Sequence, residues 1–252
     1  MPNAIRLRRW IFRALLVAAA LFALARWRER QLPAPAAARS ELAQSPIQGP
    51  TDRVPFDFVY KGKRCFVRPV ARYELWGLVV SHNDIHSISD IYHDATSVDT
   101  RDLCVVWGRN VASGAYERAE FWSGPWTCYF RTPAAVDFDR TGISNNHLIT
   151  DRPEVRARLA HVHVGDEVHF SGLLVDYRMD DWGDFWRRTS TVRTDTGCEV
   201  VFAERLEVLA RNAAGWHALE SLAKTLLVLL PLAWIGVFVL EARRDPVSLG
   251  EL

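Results

Sequence analysis

The chain lacks the short patterns that announce a chemistry. Its four cysteines include no C-x-x-C spacing, which argues against a zinc ribbon or a thioredoxin-like redox pair. No G-x-S-x-G occurs, so there is no nucleophile elbow, and no cofactor fingerprint is present. Charge of one sign is also missing: the formal net charge is +1, which speaks against a dedicated nucleic-acid binder. No internal repeat divides the chain, and its apolar stretches carry no G-x-x-x-G.

What the sequence does have lies first at its two ends. Residues 222–240 form an apolar stretch of roughly 28 Å as a helix at about 1.5 Å per residue, close to the ~30 Å hydrocarbon core of a bilayer. Lys224 can snorkel to the headgroups, Pro231 is tolerable inside a membrane helix, and Trp216 suits an interface. The N-terminal stretch, 14–25, is shorter. Arg6, Arg8, Arg9 and Arg13 precede it, and Ala23-Leu24-Ala25 has the A-x-A form of a cleavage site. Arg26, Arg28 and Arg30 follow at once, which favours an uncleaved signal anchor over 1–30. A transmembrane helix over 216–242 and a short tail over 243–252 complete this reading. Arginines flank both stretches on the side assigned to the cytoplasm. The middle is therefore expected outside the inner membrane of a bacterium, in the periplasm or its equivalent.

The cysteines fit that compartment. Cys65, Cys104, Cys128 and Cys198 all fall in the middle, and an even number in an oxidising space predicts two disulfides, with three pairings open. Residues 31–52 carry Pro33, Pro35, Pro46 and Pro50 and read as a linker. The domain proper spans 53–212. Strand signals dominate it at 56–60, 65–67, 73–81, 103–107, 127–131, 161–170, 171–177 and 198–209. One helix is predicted over 153–160, with Asp151 and Glu154 as a capping box and Pro153 in the first turn. The expected fold class is mainly β: a small OB-like barrel or sandwich with one short helix, flanked by N- and C-terminal transmembrane helices.

The strongest local fold signal is 162–177, VHVGDEVHFSGLLVDY. Gly165-Asp166 makes a turn, and Gly172 permits a bend or bulge in the strand that follows. A G-D-x-V turn followed by a glycine-kinked strand resembles the strands of OB-like barrels, with 199–209 as the closing strand. The runs SNNHL and RTDTG resemble those of bacterial membrane-anchored proteins, a resemblance that implies no function.

Candidate sites follow from residue type and spacing. His82, His86 and His93 lie in SHNDIHSISDIYHD, beside Asp84, Asp90 and Asp94, and form a candidate metal group if His82 and His86 share a helical face. The competing reading is a polar loop. Ser144-Asn145-Asn146-His147 reads as a turn, with Asn145, Asn146 and His147 as candidate ligand-binding residues. Asp195-Thr196-Gly197 resembles the aspartic-protease motif, where two such aspartates share a proton. Arg193 and Cys198 depart from that pattern. Trp76, Trp107, Trp122 and Trp126 are expected in the core. Trp182 and Trp186, beside Asp180, Asp181 and Asp184, form a candidate binding surface, with Asp181 and Asp184 accepting hydroxyl hydrogen bonds. His161 and His163 are expected on the solvent face of a strand.

The functional expectation is a membrane-anchored extracytoplasmic binding or assembly module that uses no cofactor. Its partners would be the lipid bilayer and a membrane protein or envelope component, with no nucleic acid. Two alternatives stand beside it: an envelope-acting hydrolase using His82, His86, His93, His147 or Asp195, and a glycan-binding module using Trp182 and Trp186.

Overall fold

The computed structural model describes residues 2–85, 96–124, 126–193 and 197–244. The chain divides into two compact units: both ends together, and residues 32–212.

The first unit is a pair of helices, α1 (Pro2–Glu29) and α4 (Ala214–Arg244). Within them Ile5–Glu29 and Ala214–Glu241 are long and apolar enough to cross a membrane. The two run antiparallel, with charge pairs near both ends. Arg8 meets Glu241 at one end, while Arg26 and Lys224 meet Glu220 at the other. Glu29 and His217 form a further pair there, at 2.9 Å. Between these pairs Leu16, Val17, Leu229 and Leu232 are exposed. An apolar exterior of this kind suits hydrocarbon and not water. The helix α1 runs unbroken through Ala23-Leu24-Ala25 and on past Arg26 and Arg28.

The second unit is built on one sheet. Its strands are β1 (Ile47–Gly49), β2 (Phe56–Tyr60), β3 (Lys63–Asp84), β4 (Arg101–Val106), β7 (Ile143–Ile149), β8 (Glu167–Met179) and β9 (Glu199–Ala210). A separate hairpin pairs β5 (Glu120–Ser123) with β6 (Cys128–Arg131). The short helices α2 (Arg109–Ala112) and α3 (Pro153–Leu159) complete it. The long β3 organises the sheet. It pairs with β8 from Cys65 to Leu78 and with β4 from Leu78 to Asp84. The hydrogen-bonded path β3-β4-β7-β9-β8 therefore returns to β3. Among the described residues only β7 and β9 pair in parallel.

Two glycines make this closure possible. At Gly172 the β8–β9 register shifts, and a Cβ there would sit 2.0 Å from the carbonyl oxygen of Phe202. Gly165 turns at φ +83°, where its N–H bonds to Val79 and Asp166 caps the loop from His163. One face of the sheet packs Tyr73, Leu75, Trp107, Leu148, Phe170 and Leu206 into the main core, with Val155 and Leu159 of α3. A second cluster gathers Phe58, Cys65, Ile149, Tyr177, Val200 and Phe202.

Several expectations change here. The proline-rich stretch 31–52 is no free spacer. Leu42 is fully buried among Leu78, Val80, Cys104 and Tyr116, and the Tyr116 hydroxyl donates to the Pro33 carbonyl. One leucine with a core to enter outweighs a polar, proline-rich context. The expected capping box is absent, since the α3 N-cap is Arg152 with no side-chain cap. Instead the Thr150 hydroxyl takes the Arg152 N–H. His161 and His163 lie in the turn before β8, not on a strand. Trp107 is in the core, but Trp76 is half-buried against His169, with stacked rings 4.3 Å apart. Trp122 and Trp126 are 46% and 53% exposed, because their hairpin lies outside the main sheet.

Candidate functional site

Ser144, Asn145, Asn146 and His147 lie inside β7, not in a turn. Asparagine favours turns when its backbone is free to bend, but here β7 is hydrogen-bonded on both edges, by β4 and by β9. The strand period then divides the residues between two faces. Asn146 lies opposite Leu103 of the main core, where it donates to Ser144 Oγ at 3.0 Å. Asn145 and His147 take the other face.

The ladder decides what they meet. Asp102 of β4 is the direct partner of His147, and Cys104 is the partner of Asn145. Directly opposed residues share a face with Cβ atoms about 5 Å apart. His147 Nδ1 accordingly sits 2.7 Å from Asp102 Oδ1, with both side chains almost wholly buried. The contact is off-axis for a linear hydrogen bond, and among the described residues neither Asp102 oxygen has a well-aligned donor.

Cys198 precedes β9 and arrives on this face by the parallel β7–β9 pairing, in which Asn146 matches Glu199 and His147 matches Val200. Ser190 N–H bonds the Cys198 carbonyl at 2.9 Å, and Thr189 Oγ1 takes the Val200 N–H, also at 2.9 Å. These two bonds fix the approach of the chain to β9. The Cys198 sulfur lies 3.7 Å from Asn145 Nδ2, 3.6 Å from Thr127 Oγ1 and 3.5 Å from the Trp126 carbonyl oxygen. His147 is close enough to this sulfur to act on its ionisation.

The electrostatics are those of an activated thiol. Burial works against ionising Cys198, but the hydrogen bond and charge of His147, with Thr127 and Asn145, bring it below the ordinary thiol value. Burial likewise opposes a charged His147, yet the Asp102 carboxylate outweighs it, and with the Cys198 sulfur raises the imidazole to about 9. The other free cysteine behaves oppositely. Cys65 is buried beside Asp99, first by burial and then by that charge pushed up to about 12.

Arg187 competes for the same imidazole. Its Nη2 lies 2.6 Å from His147 Nε2, and Asn145 Nδ2 lies 3.2 Å away. A neutral ring accepts from Arg187, whereas a protonated ring cannot, and the guanidinium opposes its charge. Burial disfavours the guanidinium, but Asp99, Tyr177 and Asp102 hold it protonated. Tyr177 donates to Asp99 at 2.9 Å.

Arg187 and Trp126 also border a cavity of about 410 Å³, lined further by Lys63, Asp99, Tyr177, Asp181, Trp182 and Phe185. The thiol cluster thus adjoins a space large enough for a small ligand. Trp182 packs at a tilt between Tyr177 and Phe185, and Asp181 is taken by Lys63 at 2.6 Å. Trp186 belongs elsewhere, under the Arg68 guanidinium at 3.7 Å, and Asp184 is exposed outside the cavity lining. The two tryptophans therefore do not form one surface.

Among the described residues one further metal candidate remains. His82 is a half-buried residue of β3 opposite Leu103. His86, His93 and Asp195 lie outside the described residues. Among the described residues no group of three or more His, Cys, Asp or Glu could hold a metal ion. Of the two expected disulfides one is present, Cys104–Cys128. Cys65 and Cys198 are thiols because the first is packed with Val67, Tyr177 and Met179 and the second is held in the histidine cluster.

Sequence reading named His147 and Cys198 separately and missed Asp102 and Arg187. The available signal for Asp102 was a carboxylate at the head of the apolar run Leu103-Cys104-Val105-Val106-Trp107. Comparison with protein-family models, with curated proteins and with solved structures returns no match.

Proposed function

We propose that the domain is a cysteine-dependent acyl-transfer or hydrolytic enzyme of the bacterial envelope. Cys198 is its nucleophile, His147 its general base and acid, and Asp102 the group that orients the imidazole. The observation that carries this reading is that Asp102 and His147 share one sheet face with the Cys198 thiol held beside it, and that Trp126 and Arg187, which touch this group, line a cavity. A nucleophile, a base within hydrogen-bond reach and a third group orienting the base are the parts such chemistry needs. Cys198 attacks a carbonyl carbon and forms a thioester. His147 takes the thiol proton and returns it to the leaving oxygen or nitrogen, and water or a second acceptor then releases the acyl group. The OB-like sheet, anchored by α1 and α4 and facing outward from the inner membrane, would hold this site over envelope material.

The test is acylation by an activated ester, p-nitrophenyl acetate, followed by peptide mapping of the full chain in detergent. A single acyl group on Cys198, lost in Cys198→Ser and slowed in His147→Ala, is expected. Acylation spread over surface lysines, with Cys198 unmodified, would refute the reading.

Binding without chemistry is the second reading, favoured by the exposed aromatic rim of Trp126, Trp182 and Phe185. Aromatic rings on a rim stack on sugar faces or apolar groups and anchor partners. A partner in the membrane or the envelope would dock there. Loss of polysaccharide binding in the Trp182→Ala, Phe185→Ala double variant, with thiol acylation absent in the wild type, would favour binding.

A further inference from the structure

The Cys104–Cys128 disulfide lies beside the free thiol. Cys104 is the cross-strand partner of Asn145, and Asn145 Nδ2 touches the Cys198 sulfur at 3.7 Å. Cys128 follows Thr127, whose hydroxyl touches the same sulfur at 3.6 Å. The bond ties the β5–β6 hairpin to the main sheet, beside a second tie in which Ser81, partner of Cys104, meets Ser123, partner of Cys128, at 2.9 Å. The neighbours of both bonded sulfurs thus converge on Cys198.

We propose that the three cysteines form one thiol–disulfide exchange centre, in which Cys198 attacks Cys128 and displaces Cys104. The proposal rests on the activated thiol of the reading above and on nothing else in that mechanism. The step is an isomerisation. The Cys198 thiolate forms a bond to the Cys128 sulfur, the Cys104–Cys128 bond breaks, and Cys104 leaves as a thiolate. Cys198 gives up one proton to His147 and Cys104 takes up one, so no oxidant or reductant is consumed. Attack by a thiolate is what such exchange requires, and Cys198 is the cysteine with a base beside it. The Ser81–Ser123 contact can keep the hairpin in place while the covalent tie changes. In the exchanged form Cys198 is masked and cannot take an acyl group. Both forms hold one disulfide and one thiol, so an outside thiol can speed the exchange without shifting its balance.

The test is disulfide mapping of the full chain in detergent. The protein is equilibrated in a dilute buffer of reduced and oxidised glutathione, quenched in acid, alkylated and digested. The expected result is a Cys128–Cys198 peptide together with alkylated Cys104, absent from Cys198→Ser. A Cys104–Cys198 link, or no link through Cys198, overturns the proposal. In Cys104→Ser treated with oxidised glutathione, an internal Cys128–Cys198 bond is expected. Separate glutathione adducts on Cys128 and Cys198 overturn it. If Cys198 is acylated by p-nitrophenyl acetate but never exchanges, this inference falls and the enzyme reading stands. Exchange without acylation has the converse meaning.

Discussion

Asp102 and His147 face each other across the β4–β7 ladder, with Oδ1 and Nδ1 2.7 Å apart in a nearly solvent-free position. A carboxylate and an imidazole placed there cost desolvation energy unless they serve each other. The pair sets the charge of the ring, and the ring in turn sets the state of Cys198.

Replacing Asp102 by Asn should keep the shape and remove the charge. The ring would lose both its orienting contact and its raised proton affinity. Acylation of Cys198 should fall by roughly 10²–10⁴-fold, the range that general acid–base catalysis contributes. The check is the rate of thioester formation by mass spectrometry, with circular dichroism to establish folding. An unchanged rate would remove Asp102 from the site.

The pH dependence of stability has a definite sign. The folded-state pKa of His147 is raised to about 9, above its ordinary value near 6.5. A raised pKa means the folded state holds the proton more tightly than the unfolded chain. Its contribution is therefore fully present below about pH 6.5 and is lost as pH rises through about 9. The difference in unfolding free energy between wild type and His147→Gln should shrink across that window in urea titrations. A constant difference would mean that His147 is not charged in the folded protein.

Tyr177 holds Asp99, whose Oδ1 has no donor among the described residues. Tyr177→Phe removes the bond to Oδ2 and leaves the buried carboxylate poorer still. A loss of about 1–3 kcal/mol is expected, read from the urea midpoint at constant m-value.

Gly172→Ala tests the sheet itself. The added Cβ would meet the Phe202 carbonyl at 2.0 Å, and backbone on both strands resists moving. Overpacking of this kind costs at least about 1–3 kcal/mol, and the thermal midpoint should drop by several degrees.

Legibility in the sequence followed the range of the interactions. The two apolar helices, β2, α3 and the irregularity at Gly172 are local, and periodicity or turn chemistry revealed them. The site is not local. His147 looked like part of a turn because Asn145 and Asn146 carry turn propensity, which pairing on both strand edges overrides. Cys198 looked like half of a disulfide because cysteine count says nothing about which sulfurs meet. Asp102 joins them only through the β4–β7 register, and Arg187 only through its bridge to Tyr177 on β8. Trp182 and Trp186 looked like one surface because they are close in sequence. The first turns into the cavity, whereas the second is covered by Arg68.

The most direct measurement is the rate of Cys198 alkylation by iodoacetamide between pH 5 and 10, in wild type and His147→Ala. The thiolate is the reacting species, and His147 keeps the Cys198 thiol below its ordinary value. Wild-type Cys198 should therefore react at a lower pH than a free thiol, and the His147→Ala profile should move upward. Cys65 should stay unlabelled until the protein unfolds. A Cys198 profile that matches a free thiol and ignores His147 would contradict the account.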